Sequence, residues 1–183
     1  MKHTKVINLW GAPGAGKSTA AAHLFGVMKE LGLDCELVTE FVKDEIWSEN
    51  NTVQSNYAYV FGNQSYRISR LIGKVDYIIT DSPIPLCLIY NRTSALDTEA
   101  FKQVVNDLFL SFDNENIFIN RCASYSKNGR LQTEAESDRI ATRIIDMLTE
   151  YQVNAGIEYQ SFDGNIDGYK KLTDYVLLTI IKK

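Results

Sequence analysis

The sequence has few cysteines and no long hydrophobic run. Cys35, Cys87 and Cys122 are far apart in the chain and form no CxxC pair of the kind that binds metal. An odd number of isolated thiols is typical of a reduced compartment, where each one packs as a small apolar residue. No apolar run reaches the roughly 18 residues that a membrane-spanning helix needs, and "MKHTKVINLW" leads directly into a strand pattern. We therefore expect an intracellular protein without a targeting segment.

The sequence also lacks an excess of positive charge and any linker. Its 19 Lys and Arg residues stand against 23 Asp and Glu residues, giving a net charge of -4. This balance argues against a general nucleic-acid coat, although it is compatible with a local basic patch. Two isolated histidines, His3 and His23, predict no metal site. No Gly/Ser/Pro-rich stretch or repeat divides the 183 residues, so we expect a single domain over residues 1–183.

Apolar runs that alternate with helical periodicity predict an α/β domain. Strand patterns lie at 5–10, 35–40, 75–83, 116–121 and 157–162. Helical patterns lie at 17–32, about 53–72, 97–112, from Thr133 onward and at 168–181. Thr133 and Glu136 have the spacing of a capping box. This order of elements predicts a three-layer α/β/α sandwich around a five-stranded parallel sheet.

The stretch "GAPGAGKST" follows the first strand and precedes the first helix. It fits the pattern G-x-x-x-x-G-K-[ST], in which backbone N–H groups and a helix N-terminus converge on phosphates. Lys17 is expected to reach the β- and γ-phosphates, and Ser18 to give its hydroxyl oxygen to Mg²⁺. The pattern predicts a nucleotide site, here called the phosphate loop, that consists of Gly11, Ala12, Pro13, Gly14, Ala15, Gly16, Lys17, Ser18 and Thr19.

Two carboxylates end the second and third strand patterns. Asp81 ends "YIITD" and Glu40 ends "ELVTE", so both are expected at the sheet edge that carries the phosphate loop. Asp81 is the predicted partner of Mg²⁺, directly or through water, although Asp also caps turns such as the following "DSPIP". Glu40 is the predicted general base for a hydroxyl acceptor, with an exposed loop acid as the alternative. Asp44 and Glu45 are nearby, but they fit solvated helix residues better.

The segment "QSNYAYVFGNQSYRISR" (54–70) is rich in aromatic, amide and arginine side chains. Gln64, Arg67 and Arg70 recur at three-residue steps, which predicts that they share roughly one helix face with Tyr66 close by. Rings, amides and guanidinium groups suit a nucleoside-like acceptor that carries phosphate. We predict substrate binding by these four residues; an aromatic stripe that belongs to the core is the alternative.

Arginines follow the fourth strand pattern. Arg121 and Arg130 lie in a polar segment at about 121–132, the predicted lid. A lid arginine would neutralise charge on the phosphoryl group while the lid excludes water. A solvated loop is the alternative, and we prefer it for Lys127. After the fifth strand pattern comes "FDGN" (162–165), where Asp163 is predicted to lie in a loop that wraps the adenine.

Together these residues resemble the P-loop kinases, and more narrowly a phage-encoded group close to ribosylnicotinamide-kinase-like proteins. The blocks that carry the resemblance, in the expected order, are "NLWGAPGAGKSTAAAHLF", "VTEFVKD", "FGNQSYR", "TDSP" and "GRLQTEAESD". The resemblance implies ATP·Mg²⁺ as phosphate donor and the host-cell cytoplasm as location. It also implies a nucleotide site at Gly11 and 14–19, Asp81 on the metal side, Glu40 as base, and Arg121 or Arg130 in the lid.

The same resemblance implies the class of acceptor. Some members of the group are similar to kinases that phosphorylate the hydroxymethyl group of 5-hydroxymethyluracil in phage DNA, and this is the expected acceptor. Others resemble kinases of free nucleosides or nucleotides, with ribosylnicotinamide among the alternatives. An acceptor in DNA would call for a phosphate track along Arg67, Arg70 and Lys74, whereas a small acceptor would call for an enclosed aromatic pocket.

Functions with water as acceptor, or without turnover, fit less well. A regulatory GTPase needs N-K-x-D where "FINRCASY" stands, and D-x-x-G where "DSPI" stands. A motor of the AAA type normally has a longer chain, a helical subdomain and an acidic pair where "IITDSP" carries one Asp. A silent nucleotide-binding module would not require Lys17, Ser18 and Asp81 together with Glu40 and lid arginines.

Overall fold

Five parallel strands form the centre of the computed structural model, which describes residues 2–49, 56–90, 95–122, 124–125 and 132–181. The strands are β1 (Lys5–Trp10), β2 (Cys35–Val38), β3 (Tyr77–Thr80), β4 (Asp113–Asn120) and β5 (Tyr159–Asp163). Their order in the sheet is β2-β3-β1-β4-β5, and each neighbouring pair runs parallel. The predicted five-stranded parallel sheet is confirmed.

Helices connect these strands in the described part of the chain. They are α1 (Lys17–Glu30), α2 (Phe41–Trp47), α3 (Tyr57–Ser69), α4 (Leu86–Tyr90), α5 (Glu99–Leu110), α6 (Glu134–Ala155) and α7 (Ile166–Tyr175), and α7 continues as a π-helical stretch over Val176–Ile181. Within the described ranges, no helix is both long and apolar enough to cross a bilayer.

Both faces of the sheet are covered. On one face, Leu24 of α1 and Leu172 of α7 belong to one buried cluster with Ile7 of β1. On the other face, Trp10 of β1 belongs to a second buried cluster with Phe109 of α5, and the two rings meet edge-on with their centroids 5.8 Å apart. These two layers of helices confirm the predicted α/β/α sandwich.

The central strand β1 is buried along nearly its whole length. A strand covered on both faces needs apolar side chains on both, which explains the near-continuous run "KVINLW". Its one uncharged polar residue, Asn8, donates a hydrogen bond to the Asn114 side-chain oxygen of β4 at 2.9 Å. Trp10 donates from its indole nitrogen to the Asn116 side-chain oxygen, also at 2.9 Å. These two hydrogen bonds thus join side chains of β1 and β4.

Two strands end earlier than predicted, and two helices were not predicted. β2 ends at Val38 and β3 at Thr80, so Glu40 and Asp81 lie just beyond their strands. The short helices α2 and α4 begin soon afterwards. Helices of seven and five residues are too short for a 3.6-residue period to be recognised in the sequence. These four boundaries place the candidate site at the carboxyl edge of the sheet.

The capping box of α6 is confirmed. The Thr133 hydroxyl accepts a hydrogen bond from the Glu136 N–H, and the Glu136 carboxylate accepts one from the Thr133 N–H at 2.7 Å. We expect Thr133→Ala to lower the free energy of unfolding by about 0.5–2 kcal/mol, because the Glu136 N–H loses the hydroxyl that caps it. Chemical denaturation measures this change. Thr149→Ala, inside the same helix, is the control and should cause no loss of stability; equal losses would contradict the capping role.

Candidate functional site

The phosphate loop joins β1 to α1 through three glycines with positive φ. The φ angles are +146° at Gly11, +83° at Gly14 and +97° at Gly16, values that other residues adopt only with strain. Gly16 also caps α1 without any side-chain hydrogen bond. The first N–H groups of α1 therefore have no side-chain cap, which leaves them suited to an anionic ligand.

Close packing behind the loop leaves little room for a β-carbon at Gly11 or Gly16. A Cβ on Gly11 would lie 2.8 Å from the Ile119 carbonyl oxygen, and a Cβ on Gly16 would collide with the Tyr169 hydroxyl. The loop after β5 adds to this support, because the Gly164 N–H donates to the Asn120 carbonyl oxygen at 2.7 Å. The cradle thus fits a phosphate group on its open side.

Asp163 ends β5 directly before Gly164 and is exposed. The segment that contains it packs against the back of the phosphate loop, since a Cβ on Gly164 would collide with the Ala15 carbonyl oxygen. Contact between Asp163 and an adenine ring stays a prediction.

Lys17 lies along the phosphate loop. Its ammonium group donates to the Gly11 carbonyl oxygen at 2.7 Å and to the Ala12 carbonyl oxygen at 3.2 Å. These bonds hold the positive charge beside the backbone N–H groups that face the cradle. Ser18 and Thr19 are exposed next to Lys17. The residues that were predicted to bind the phosphate donor therefore lie close together.

Asp81 and Glu40 meet at the ends of β3 and β2. Asp81 is only 3% exposed, and its carboxylate accepts a hydrogen bond from the Glu40 N–H at 2.9 Å. Burial raises the pKa of the Glu40 carboxyl, the neighbouring Asp81 carboxylate raises that pKa further, and the Lys17 ammonium opposes both effects. Glu40 thus combines a position next to Lys17 with increased affinity for a proton.

A cavity of about 400 Å³ extends from the phosphate loop past Glu40. We call it the strand-end cavity. Its lining outside the phosphate loop consists of Glu40, Val42, Lys43, Ile46, Trp47, Tyr57, Val60, Gln64, Ser82, Pro83, Ile84, Leu86, Cys87, Tyr90 and Gln132. Most of these side chains are apolar or aromatic. Burial raises the pKa of the Cys87 thiol to about 12, so this thiol stays protonated.

Gln64 lines the cavity, but both ends of its amide are hydrogen-bonded to the backbone. Its oxygen accepts from the Phe41 N–H at 3.0 Å, and its nitrogen donates to the Ser82 carbonyl oxygen at 3.1 Å. Gln64 therefore ties α2 and the segment after β3 to α3. Direct substrate binding by Gln64 stays a prediction.

Arg67 lies one turn from Gln64, and both contact Phe41, whereas Arg70 comes after the last residue of α3. A step of three residues falls about 60° short of a full helical turn, so two steps move Arg70 about 120° away from Gln64. Arg67 pairs with Asp44 at 3.1 Å and lies over the Phe41 ring at 5.1 Å. Tyr66 is 67% exposed. Tyr66, Arg67 and Arg70 are not among the residues that line the strand-end cavity. Substrate binding by Tyr66, Arg67 and Arg70 stays a prediction.

Arg121 is engaged by the N-terminal turn of α6. It pairs with Glu134 at 3.4 Å and with Asp138, and it donates to the Ser137 hydroxyl oxygen at 3.3 Å. Ser137 is fully buried and donates to the Pro13 carbonyl oxygen at 2.8 Å. Arg121 thus reaches the phosphate loop through Ser137. Arg130 and Lys127 lie outside the described residues, as does most of the predicted lid.

Several residues of the site were not foreseen from the sequence. Trp47, Tyr57 and Tyr90 come from three different helices, and Ser137 lies far along the chain from the loop that it contacts. For Tyr57, the sequence signal that could have identified it is the aromatic composition of segment 54–70, to which it belongs. Spacing along one helix cannot reveal a wall that three helices assemble.

Oxygen donors at the site suit magnesium. The Ser18 hydroxyl and the Asp81 carboxylate are the kind of ligand that Mg²⁺ takes in combination with phosphate oxygens. Within the described ranges, no group of three or more His, Cys, Asp or Glu side chains could hold a metal ion.

Comparison with known proteins shows the family to which this sequence is similar. A family model described as an AAA domain matches residues 6–163, which spans β1 to the end of β5. A search of curated proteins finds no match. The match supports the predicted resemblance at the level of a P-loop nucleotide-binding protein.

The bond from Ser137 to the phosphate loop gives a first test. We expect Ser137→Ala to weaken ATP binding roughly fivefold, because a buried hydrogen bond that shapes the loop is worth about 1 kcal/mol. Isothermal titration calorimetry with ATP and Mg²⁺ measures the dissociation constant. Ser111→Ala, at an exposed site directly after the C-terminal end of α5, is the matched control. An unchanged affinity in Ser137→Ala would show that the loop keeps its shape without Ser137.

The raised pKa of Glu40 gives a second test. A carboxyl with a raised pKa in the folded state contributes most stability below its ordinary pKa of 4.5, and this contribution is lost as the pH rises through the folded-state value. We therefore expect Glu40→Gln to be more stable than the parent protein near pH 8 and to have little advantage near pH 4.5. Thermal unfolding without nucleotide measures the difference.

Glu30→Gln, at the exposed end of α1, should show no such pH-dependent gain. If Glu40→Gln were less stable than the parent near neutral pH, the attraction of Lys17 would outweigh burial, and the raised pKa would be wrong.

Proposed function

The chain belongs to the AAA domain family of P-loop proteins, and from this premise we propose that it is an ATP-dependent kinase with a hydroxyl acceptor. The observation that carries the proposal is the strand-end cavity of about 400 Å³, which runs from the phosphate loop past Glu40 along a mainly apolar wall. A hydrolase needs space for one water molecule beside the γ-phosphate. A chamber of this size and lining suits an organic acceptor.

The phosphate loop would hold the donor. Its glycines allow the backbone to approach the phosphates, and Lys17 would turn from the Gly11 carbonyl to the β- and γ-phosphates. Ser18 and Asp81 would hold Mg²⁺, which neutralises charge on the phosphate oxygens when it is bound. Arg121 would stabilise the loop through Ser137, and it would add direct contact with phosphate only after leaving its acidic partners.

Glu40 would accept the proton of the acceptor hydroxyl. As that oxygen bonds to the γ-phosphorus, the bond from the γ-phosphorus to the bridging oxygen breaks and ADP departs. A base works best when its pKa lies near the working pH, and burial moves the pKa of Glu40 in that direction. The position between Lys17 and the cavity supports this role.

The acceptor that we propose is the hydroxymethyl group of 5-hydroxymethyluracil in DNA. A cavity of about 400 Å³ is of a size for one nucleoside unit, so a base in DNA would have to leave its stack to enter. A free nucleoside or nucleotide is the alternative. It is favoured by the pairing of Arg67 with Asp44, which engages one guanidinium of the predicted phosphate track.

The second candidate function is ATP hydrolysis, which the description of the matching family favours. Against it stands the end of β3, where Asp81 is followed by Ser82 and Pro83 instead of a second acid. A hydrolase would release phosphate at the same rate with and without an organic acceptor.

Transfer of labelled γ-phosphate separates these functions. The protein is given ATP, Mg²⁺ and, in turn, DNA that contains 5-hydroxymethyluracil, the free nucleosides and the nucleotides. We expect one of these acceptors to become labelled, and the DNA is the one that we propose. Rapid release of free phosphate with no labelled acceptor would contradict the kinase and support the hydrolase.

The role of Glu40 has its own test. We expect Glu40→Gln to lower kcat by about 10²-fold or more with saturating acceptor, because general-base catalysis contributes about 10²–10⁴-fold. In the parent protein, kcat should fall as the pH drops through the raised pKa of Glu40, and Glu40→Gln should lack this limb. Glu45→Gln, on the same helix outside the cavity lining, is the control. If Glu40→Gln kept the kcat of the parent protein, the assignment of Glu40 as general base would be wrong.

A further inference from the structure

Trp47 combines two properties that conflict in a residue with a structural role only. Its side chain is 68% exposed, although tryptophan is a residue that folding normally buries. Of the large hydrophobic side chains that are exposed in the described ranges, Trp47 is the one that also lines the strand-end cavity. The second tryptophan, Trp10, is fully buried. The indole of Trp47 is therefore available to a molecule in the cavity.

The helix that carries Trp47 is fixed at its N-terminal end. The Glu40 N–H is bonded to the Asp81 carboxylate, and the Phe41 N–H to the Gln64 side-chain oxygen. Phe41 itself is buried. These contacts set the direction of α2 relative to the sheet, so that its last residue, Trp47, stands over the cavity.

One face of α2 points into the cavity. Val42 and Ile46, and likewise Lys43 and Trp47, are four residues apart, and all four line it. Asp44 lies off this face and pairs with Arg67 of α3. The face thus offers an indole ring together with one positive charge.

The rest of the chamber wall matches a flat, mainly apolar ligand. Pro83, Ile84 and Leu86 come from the segment after β3 and the start of α4, and they are buried. Tyr57 and Tyr90 add aromatic rings from α3 and α4. Burial raises the pKa of the Tyr90 hydroxyl, so it stays a neutral hydrogen-bond donor. The chamber can therefore hold a ring between apolar surfaces, with polar groups at its edge.

We infer that Trp47 is a specificity-determining residue that stacks on a planar ring of the acceptor. The inference rests on the proposed kinase and narrows its substrate class to alcohols that carry a flat ring, such as a nucleobase. Stacking on the exposed indole orients the ring so that its hydroxyl faces Glu40 and the phosphate loop. An acceptor without a ring gains nothing from Trp47.

Kinetics of acceptor variants test this role. With ATP saturating and 5-hydroxymethyl-2′-deoxyuridine varied, we expect Trp47→Ala to raise the acceptor KM about ten- to hundredfold, the loss typical of a removed base–aromatic stack. Trp47→Leu should resemble Trp47→Ala, whereas Trp47→Phe should keep most of the affinity. The KM for ATP should stay unchanged in all three. An acceptor KM in Trp47→Leu equal to that of the parent would overturn the inference.

Fluorescence tests the same contact without turnover. Since Trp10 is buried, the parent protein should show a change in tryptophan emission with 5-hydroxymethyl-2′-deoxyuridine, with an oligonucleotide that contains this base, or with ribosylnicotinamide. Trp47→Phe should not show it, and deoxyribose, which has no planar aromatic ring, should cause no change in either protein. If none of the three ring-bearing probes changed the emission of the parent protein, the inference would be wrong.

The two experiments separate this inference from the kinase itself. A probe that changes Trp47 emission but receives no phosphate would support the ring-stacking role and contradict the kinase. Phosphate transfer that is insensitive to Trp47→Ala and Trp47→Leu would support the kinase and overturn the role of Trp47.

Discussion

One hydrogen bond, from the backbone N–H of Glu40 to the side-chain carboxylate of Asp81, sets the geometry on which the rest of the site depends. It joins the chain just beyond β2 to the chain just beyond β3 at 2.9 Å. Because α2 begins directly after Glu40, this bond also orients α2. Gln64 repeats the connection one residue later, through the Phe41 N–H. The proposed base, the proposed metal ligand and the cavity wall are thereby held by the same few contacts.

The position of Glu40 beside Asp81 lowers the stability of the folded protein. Glu40 is partly buried beside a second carboxylate, so burial and charge repulsion both oppose its ionisation. Lys17 offsets only part of this cost, since its ammonium group is also shared with the Gly11 and Ala12 carbonyls. Gln64 already links α2 to the segment after β3 without any charge. The Glu40 carboxylate is therefore not needed for this link, and its raised pKa is in keeping with the role in proton transfer that we propose.

The donor side of the site could be predicted from the sequence because it is local. Gly11, Gly16 and Lys17 lie within one turn between a strand and a helix, and the backbone itself forms the cradle. The sheet could be predicted for the same reason, since buried parallel strands read as apolar runs. The cavity wall could not be predicted from the sequence. It includes two short helices, and the position of α2 depends on contacts such as the one between Gln64 and Phe41. Three-residue spacing also placed Arg70 with Gln64, although two such steps turn it about 120° around the helix axis.

The separation of these two sides bears on which reaction a P-loop protein performs. A phosphate cradle is shared by kinases and hydrolases, so it specifies how the donor is held but leaves the acceptor open. The acceptor is decided by what surrounds the space beyond Lys17. In this chain that space is walled by apolar side chains such as Ile84 and Leu86, which make a poor environment for bulk water. Such a wall favours an organic hydroxyl over water, and the exposed indole of Trp47 at the same cavity favours one attached to a ring.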